Sequence, residues 1–239
     1  MTGGPLLEVE ELASGYGSQL VLHDISLSVR EGELAVVLGP NGHGKTTLLR
    51  TISGLLRPQR GQIRLAGQRV DGQRVHRIVA AGVVHVPQGD LLFPDMTVLE
   101  NLQMGAHLPA ARKEYQQRLQ MVHDLLPRLA ERANQQARTL SGGERRMVGI
   151  GRGLMTGGRI LMLDEPSLGL APVIIEQIYE VIGRLRDEGI TIVLVEENAE
   201  RIAELADEVH LLDHGHIAWH GPAVDLMSRP ELRATYLGG

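Results

Sequence analysis

Cysteine is absent from the 239-residue sequence, which excludes disulfides and thiolate metal sites and matches a reducing cytoplasm. Lysine is nearly absent: Lys45 and Lys113 are the only two, and arginine carries almost all of the positive charge. No excess of positive charge exists to attract nucleic acid or anionic lipid, because the net charge is −5; nucleic acid is therefore not an expected partner. No apolar stretch approaches the roughly 20 residues that a membrane helix needs. Met1-Thr2-Gly3-Gly4-Pro5 lacks the basic start and apolar run of a signal peptide. Internal repeats, low-complexity runs and linkers are also missing. The length suits one large domain or a core with an inserted subdomain, and an apolar share of 43% is ordinary for a globular chain with a sizeable core.

Short apolar runs alternate with turn residues in the first third. Leu6 to Leu12 and Val21 to Val29 read as antiparallel strands, with Gly15-Tyr16-Gly17 in their connection. Glu33 to Leu38 is continuous enough for a strand buried on both faces, and Lys45 to Leu55 has helical spacing. Ile63-Arg64-Leu65 and Val83 to Val86 are further strands. From about Asp90 to Thr156 the texture turns helical. Thr97 and Glu100 have capping-box spacing, and Tyr115, Leu119, Val122, Leu126 and Leu129 form an amphipathic stripe interrupted near Pro127. Strand and helix then alternate through Ile160–Leu163, Pro172–Asp187, Ile190–Val195 and Asn198–Leu205. The pattern predicts a parallel α/β core with a helical insertion.

Gly39-Pro40-Asn41-Gly42-His43-Gly44-Lys45-Thr46 satisfies G-x-x-x-x-G-K-[ST] in full, after a buried strand and before a helix. The glycines let the backbone curl so that successive N–H groups face phosphate oxygens, and the helix N-terminus adds partial positive charge. Lys45 is placed to reach the β and γ phosphates, Thr46 to ligate Mg²⁺, and Thr47 to donate to the α phosphate. His43 stands at a variable position of this nucleotide-binding stretch, and its imidazole is read as a bystander. The loop alone does not choose among kinases, GTPases and ATPases.

The apolar run Ile160–Leu163 delivers Asp164 and Glu165 at its C-terminal end, where ligands of open α/β sheets sit. Asp164 is expected to hold Mg²⁺, and Glu165 to polarise the attacking water or accept its proton. Leu140-Ser141-Gly142-Gly143-Glu144 opens another helix. Ser141 and Glu144 make a capping box, yet two consecutive glycines are poor helix formers unless the backbone must approach a ligand. A second anion-binding helix start in a chain that already has its cradle suggests a site shared between two subunits.

Together these motifs resemble the ATP-binding subunits of ABC transporters across nearly the whole chain, with Gln88 in Val86-Pro87-Gln88 completing the set in the family's order. The resemblance implies a single ABC-type domain over 1–239: a P-loop NTPase core of parallel sheet with an antiparallel β-subdomain (1–88 and 157–239), and an inserted α-helical signature subdomain (89–156). It implies that ATP and Mg²⁺ bind, and that Ser141, Gly142 and Gly143 serve the ATP of a second cassette, identical or paralogous, packed head to tail. Tyr16 matches the position that stacks on adenine, although a tyrosine between glycines equally anchors a turn. Gln88 matches the glutamine that senses Mg²⁺ and water and links the core to the helical insertion.

Two departures refine the resemblance. Glu197 stands where most members carry a γ-phosphate histidine; an ionised glutamate accepts only and repels phosphate, so it is expected to be unused in catalysis. Ser167-Leu168-Gly169-Leu170-Ala171-Pro172 lacks a common aspartate, and both features resemble the branched-chain amino-acid importers. Pro127-Arg128-Leu129 and the ending Ala234–Gly239 add to that likeness. The implied protein is a cytoplasmic ATPase, peripheral on the inner face of the membrane. It would work with two membrane permease subunits and, indirectly, a solute-binding protein. A urea or amide importer subunit and a soluble non-transport ABC ATPase are the alternatives.

Overall fold

The computed structural model describes residues 4–89, 91–197 and 204–228. Strands β1 (Leu7–Tyr16) and β2 (Gln19–Val29) form a hairpin that turns at Gly17-Ser18, so Gly15 and Tyr16 belong to the strand and not to its connection. Strand β3 (Leu34–Leu38) leads through the glycine loop into α1 (Lys45–Ile52). That helix stops three residues earlier than its spacing predicts, because Gly54 adopts φ +77° just past the Ser53 cap. Next come β4 (Arg60–Leu65), β5 (Gln68–Arg69), α2 (Val75–Ala81) and β6 (Val83–Val86).

The helical stretch holds α3 (Val98–Gly105), α4 (Pro109–Lys113), α5 (Tyr115–Leu125), α6 (Pro127–Glu131) and α7 (Gly142–Met155). Thr97 caps α3 with the anticipated reciprocal bonds to Glu100. Pro127 ends α5 and starts α6, since it lacks the N–H that would continue the helix. Strand β7 (Ile160–Asp164), helix α8 (Pro172–Asp187) and strand β8 (Thr191–Glu196) follow, close to the spans the apolar pattern gives. The helix expected over Asn198–Leu205 lies largely outside the described residues. Strands β9 (Glu208–Asp213) and β10 (His216–Pro222) and helix α9 (Ala223–Met227) complete the order.

Among the described residues the strands make two sheets. One is antiparallel, in the order β2-β1-β4-β5; the other runs β10-β9-β3-β8-β7-β6 and is parallel except for the β9–β10 hairpin. The α/β class with a parallel sheet, an antiparallel sheet and an intervening set of helices is therefore observed.

The central strands are continuous apolar runs because each face has its own core. On β3, Leu34, Val36 and Leu38 pack with the helical side, while Ala35 and Val37 pack with α1 and the antiparallel sheet. On β8, Ile192 and Leu194 face the first core and Val193 and Val195 the second. Each such valine, leucine or isoleucine, fully buried, contributes about 1.5–3 kcal/mol. The two cores thus clamp β3, β7 and β8 from both sides, and the three C-terminal ends that carry the polar motifs inherit that rigidity.

Candidate functional site

The glycine loop is shaped by sterics before any ligand is considered. A Cβ on Gly39 would overlap the carbonyl oxygen of Leu212 on β9, so only glycine lets the loop leave β3 at that point. Gly44, the residue before α1, adopts φ +110° and lies against Leu22 and Val21 of β2. No side chain caps this helix start. The Lys45 ammonium, almost fully buried, donates to Gly39 O (2.8 Å), Pro40 O (3.1 Å) and Asn41 Oδ1 (3.4 Å), and pairs with Glu165 Oε1 at 3.0 Å.

The end of β7 meets this loop. The Thr46 hydroxyl donates to Asp164 Oδ1 at 3.0 Å, which joins the two expected metal ligands directly. Burial pushes the Asp164 carboxyl above the usual range; the Thr46 hydroxyl opposes that push, and the adjacent Glu165 charge adds to it. Glu165 has φ +46°, a left-handed geometry that costs a non-glycine residue about 1–3 kcal/mol. Its N–H is tied to Val195 O at 3.0 Å, and its carboxylate receives both Lys45 and, at 3.2 Å, Gln88 Nε2. Lys45, Thr46, Gln88, Asp164 and Glu165, drawn from three separate segments, are therefore brought together in one corner.

The Leu-Ser-Gly-Gly-Glu segment has contacts of its own. Ser141 caps α7: its hydroxyl accepts from Glu144 N at 3.3 Å, and Glu144 Oε2 accepts from Ser141 N at 2.8 Å. Ser141 itself is exposed. Gly142 and Gly143 are the first two residues of the helix, and packing accounts for Gly143. A Cβ on Gly143 would collide with Ile174 on α8, and one on Gly142 would press on Leu170. The glycine at 143 is thus required by packing before any ligand is considered.

Tyr16, half-exposed at the end of β1, accepts a hydrogen bond from Arg50 Nη1 of α1 at 3.2 Å, which sets the ring beside the helix that begins at the loop. Glu197, at the end of β8, accepts from Asn41 Nδ2 at 2.7 Å and so braces the loop. His43 is more engaged than a bystander. Its Nδ1 lies 2.9 Å from Asp213 Oδ1, and its ring sits 4.2 Å from that of His214. Arg50, Asp213 and His214 are neighbours of the site that the motifs did not single out, and the only signal for the last two was a short Asp-His-Gly turn.

A phosphate-type loop after β3, a carboxylate pair at the end of β7 two strands away and a mixed sheet with strands on both sides of the loop define a P-loop nucleotide-binding protein. The ABC transporter family pattern matches residues 22–168, and the chain belongs to that family. It is 43% identical to the high-affinity branched-chain amino acid transport ATP-binding protein BraG of Pseudomonas aeruginosa, over 98% of this chain and 100% of the relative. It is also 35% identical to the probable branched-chain amino acid transport ATP-binding protein LivF of Archaeoglobus fulgidus, over 98% of this chain and 99% of that one. The ADP conformation of an ATP-binding cassette of an ABC transporter superposes with a TM-score of 0.84 at 26% identity, covering 98% of this chain and 99% of that structure. The protein is accordingly an ATP-binding cassette that hydrolyses ATP.

Proposed function

We propose that this protein is the ATPase subunit of an importer for branched-chain or other hydrophobic amino acids. In this reading it works on the inner face of the membrane, with a second ATP-binding subunit, identical or paralogous, two permease subunits and, indirectly, a solute-binding protein. The carrying observation is the convergence of Lys45, Thr46, Gln88, Asp164 and Glu165 in one corner, in a chain 43% identical along nearly its full length to an ATP-binding protein of branched-chain amino acid transport. The urea or amide importer and the soluble non-transport reading have less support, because the relatives described above are named for branched-chain amino acid transport. No described helix is long and apolar enough to cross a membrane, so the reading gives solute passage to partners. Leu91, Phe93 and Met104 expose apolar surface soon after Gln88, which suits docking of a membrane subunit there.

In the proposed mechanism Lys45 exchanges its carbonyl partners for phosphate oxygens, while the backbone from Gly39 to Thr47 wraps the phosphate tail. Thr46 Oγ1 in the first turn of α1 and Asp164 Oδ1 at the end of β7 are hard oxygen donors 3.0 Å apart, a set that fits Mg²⁺, with Gln88 nearby. Mg²⁺ there would neutralise charge developing on the phosphates. Glu165, released by Lys45, orients the attacking water or takes its proton. Tyr16 offers a face for adenine. Ser141, Gly142 and Gly143 open α7 with Ser141 exposed at its N-terminus, which suits their facing the ATP of the partner cassette. The stretches 1–88 and 157–239 act as the ATP-binding core and 89–156 as the signature subdomain that carries closure towards the permeases.

Glu165→Gln tests this reading. The variant is expected to lose turnover while ATP and Mg²⁺ drive it into a dimer detectable by size-exclusion chromatography. Undiminished turnover removes Glu165 from the reaction, and purified wild-type protein without affinity for ATP ends the proposal.

A further inference from the structure

Outside the nucleotide corner, three metal-ligating side chains converge where the glycine loop meets the β9–β10 hairpin. Asp213 Oδ1 lies 2.9 Å from His43 Nδ1 and 2.7 Å from His214 Nδ1. One ligand atom from each residue falls within 4.8 Å of the other two. The backbone holds this arrangement from both sides. Gly215 N–H donates to His43 O at 3.1 Å, and His214 N–H donates to His43 Nδ1 at 3.1 Å, a hydrogen bond that an ion ligated by this nitrogen would have to replace. His214 and Gly215 form the two-residue turn with φ +45° and +78°, a geometry that usually takes Asn-Gly. A histidine placed there puts a second imidazole beside Asp213.

We propose that His43, Asp213 and His214 form a binding site for a divalent transition-metal ion of the zinc class, with water in the fourth position. In a tetrahedral zinc site with metal–ligand bonds of about 2.0–2.1 Å, ligand atoms sit about 3.3 Å apart. Asp213 Oδ1 lies somewhat closer than that to a nitrogen of each histidine, and all three ligand atoms fall within 4.8 Å of one another. Two imidazoles with one carboxylate favour zinc, nickel or copper over Mg²⁺ and Ca²⁺, which demand an all-oxygen shell. His43 is 20% exposed, Asp213 32% and His214 80%, so the ion has an entry path and room for its water. None of the three ligands is shared with Thr46 or Asp164. The ion would cross-link the loop between Gly42 and Gly44 to the hairpin. The inference stands independently of the transported solute.

The test uses the full, untagged chain, stripped with chelator and held in excess Mg²⁺ so that the phosphate-side site is blocked. Zn²⁺ titrated calorimetrically is expected to bind at one site per chain, and Co²⁺ is expected to give the intense visible bands of tetrahedral coordination. His214→Ala and Asp213→Asn should each weaken Zn²⁺ binding at least about tenfold, while His220→Ala leaves it unchanged. Circular dichroism checks the fold of each variant, and the wild-type Co²⁺ spectrum decides independently if one variant fails to fold. Zn²⁺ binding equally to the wild type and both variants, no saturable Zn²⁺ binding, or an octahedral Co²⁺ spectrum overturns the proposal.

Discussion

The buried Lys45–Glu165 pair makes an asymmetric prediction about stability. At 3.0 Å and an effective dielectric constant near 20, the Coulomb attraction is about 5.5 kcal/mol. Desolvation offsets most of it, leaving an expected coupling of about 1–3 kcal/mol in a double-mutant cycle. The single variants should differ because the two partners are differently supported. Lys45→Ala strands the Glu165 carboxylate with Gln88 as its side-chain donor, a loss of about 3–5 kcal/mol. Glu165→Gln leaves the ammonium three oxygen acceptors, on Gly39, Pro40 and Asn41, and should cost nearer 1 kcal/mol. Equilibrium urea unfolding without nucleotide, on the wild type, both single variants and the double variant, measures all three quantities. Additivity within about 0.5 kcal/mol, or a larger loss from Glu165→Gln than from Lys45→Ala, refutes the reasoning.

Three further outcomes follow from the geometry. Glu197→Ala removes the acceptor of the Asn41 amide and should raise KM for ATP, with less than about a tenfold change in kcat; an equal loss in kcat and kcat/KM would make Glu197 part of transition-state stabilisation. Gly39→Ala drives a methyl group into the Leu212 carbonyl and should lower stability by about 1–3 kcal/mol, read as a drop in Tm; an unchanged Tm contradicts the steric account. Burial, with the His220 charge acting in the same direction, holds the His210 imidazole down at about 4, against about 6.5 in an unfolded chain. Its contribution is therefore complete above about 6.5 and lost as pH falls towards about 4. Neither ring nitrogen has a partner among the described residues, so His210→Leu should hold its stability at neutral pH and gain on the wild type as pH falls; a gap that does not change with pH rejects this.

Motifs that encode backbone chemistry were legible before the fold. The glycine loop, both capping boxes and the Pro172 start of α8 all depend on short-range interactions, and each appears as read. The central strands were legible because two cores make them apolar throughout. Helix α2 escaped notice because it buries a single residue, Ile78, and β5 because it is two exposed residues; neither leaves a periodic trace. Strand order, the left-handed turn at Glu165 and the partners of His43 and Glu197 depend on contacts between distant segments, which no local pattern encodes. The motif pointed to a ligand as the reason for its glycines, and only the packed structure reveals that Ile174 by itself excludes a side chain at Gly143.

The strand order also carries a temporal consequence. β3, which launches the glycine loop, has β8 and β9 as its lateral neighbours, and both are translated long after it. Throughout most of synthesis a fully apolar pentapeptide therefore waits with both hydrogen-bonding edges open, a template for wrong pairing that calls for chaperone shelter. Ribosome-arrested chains ending before residue 191 should accordingly be insoluble or chaperone-bound, although the whole phosphate loop has already emerged.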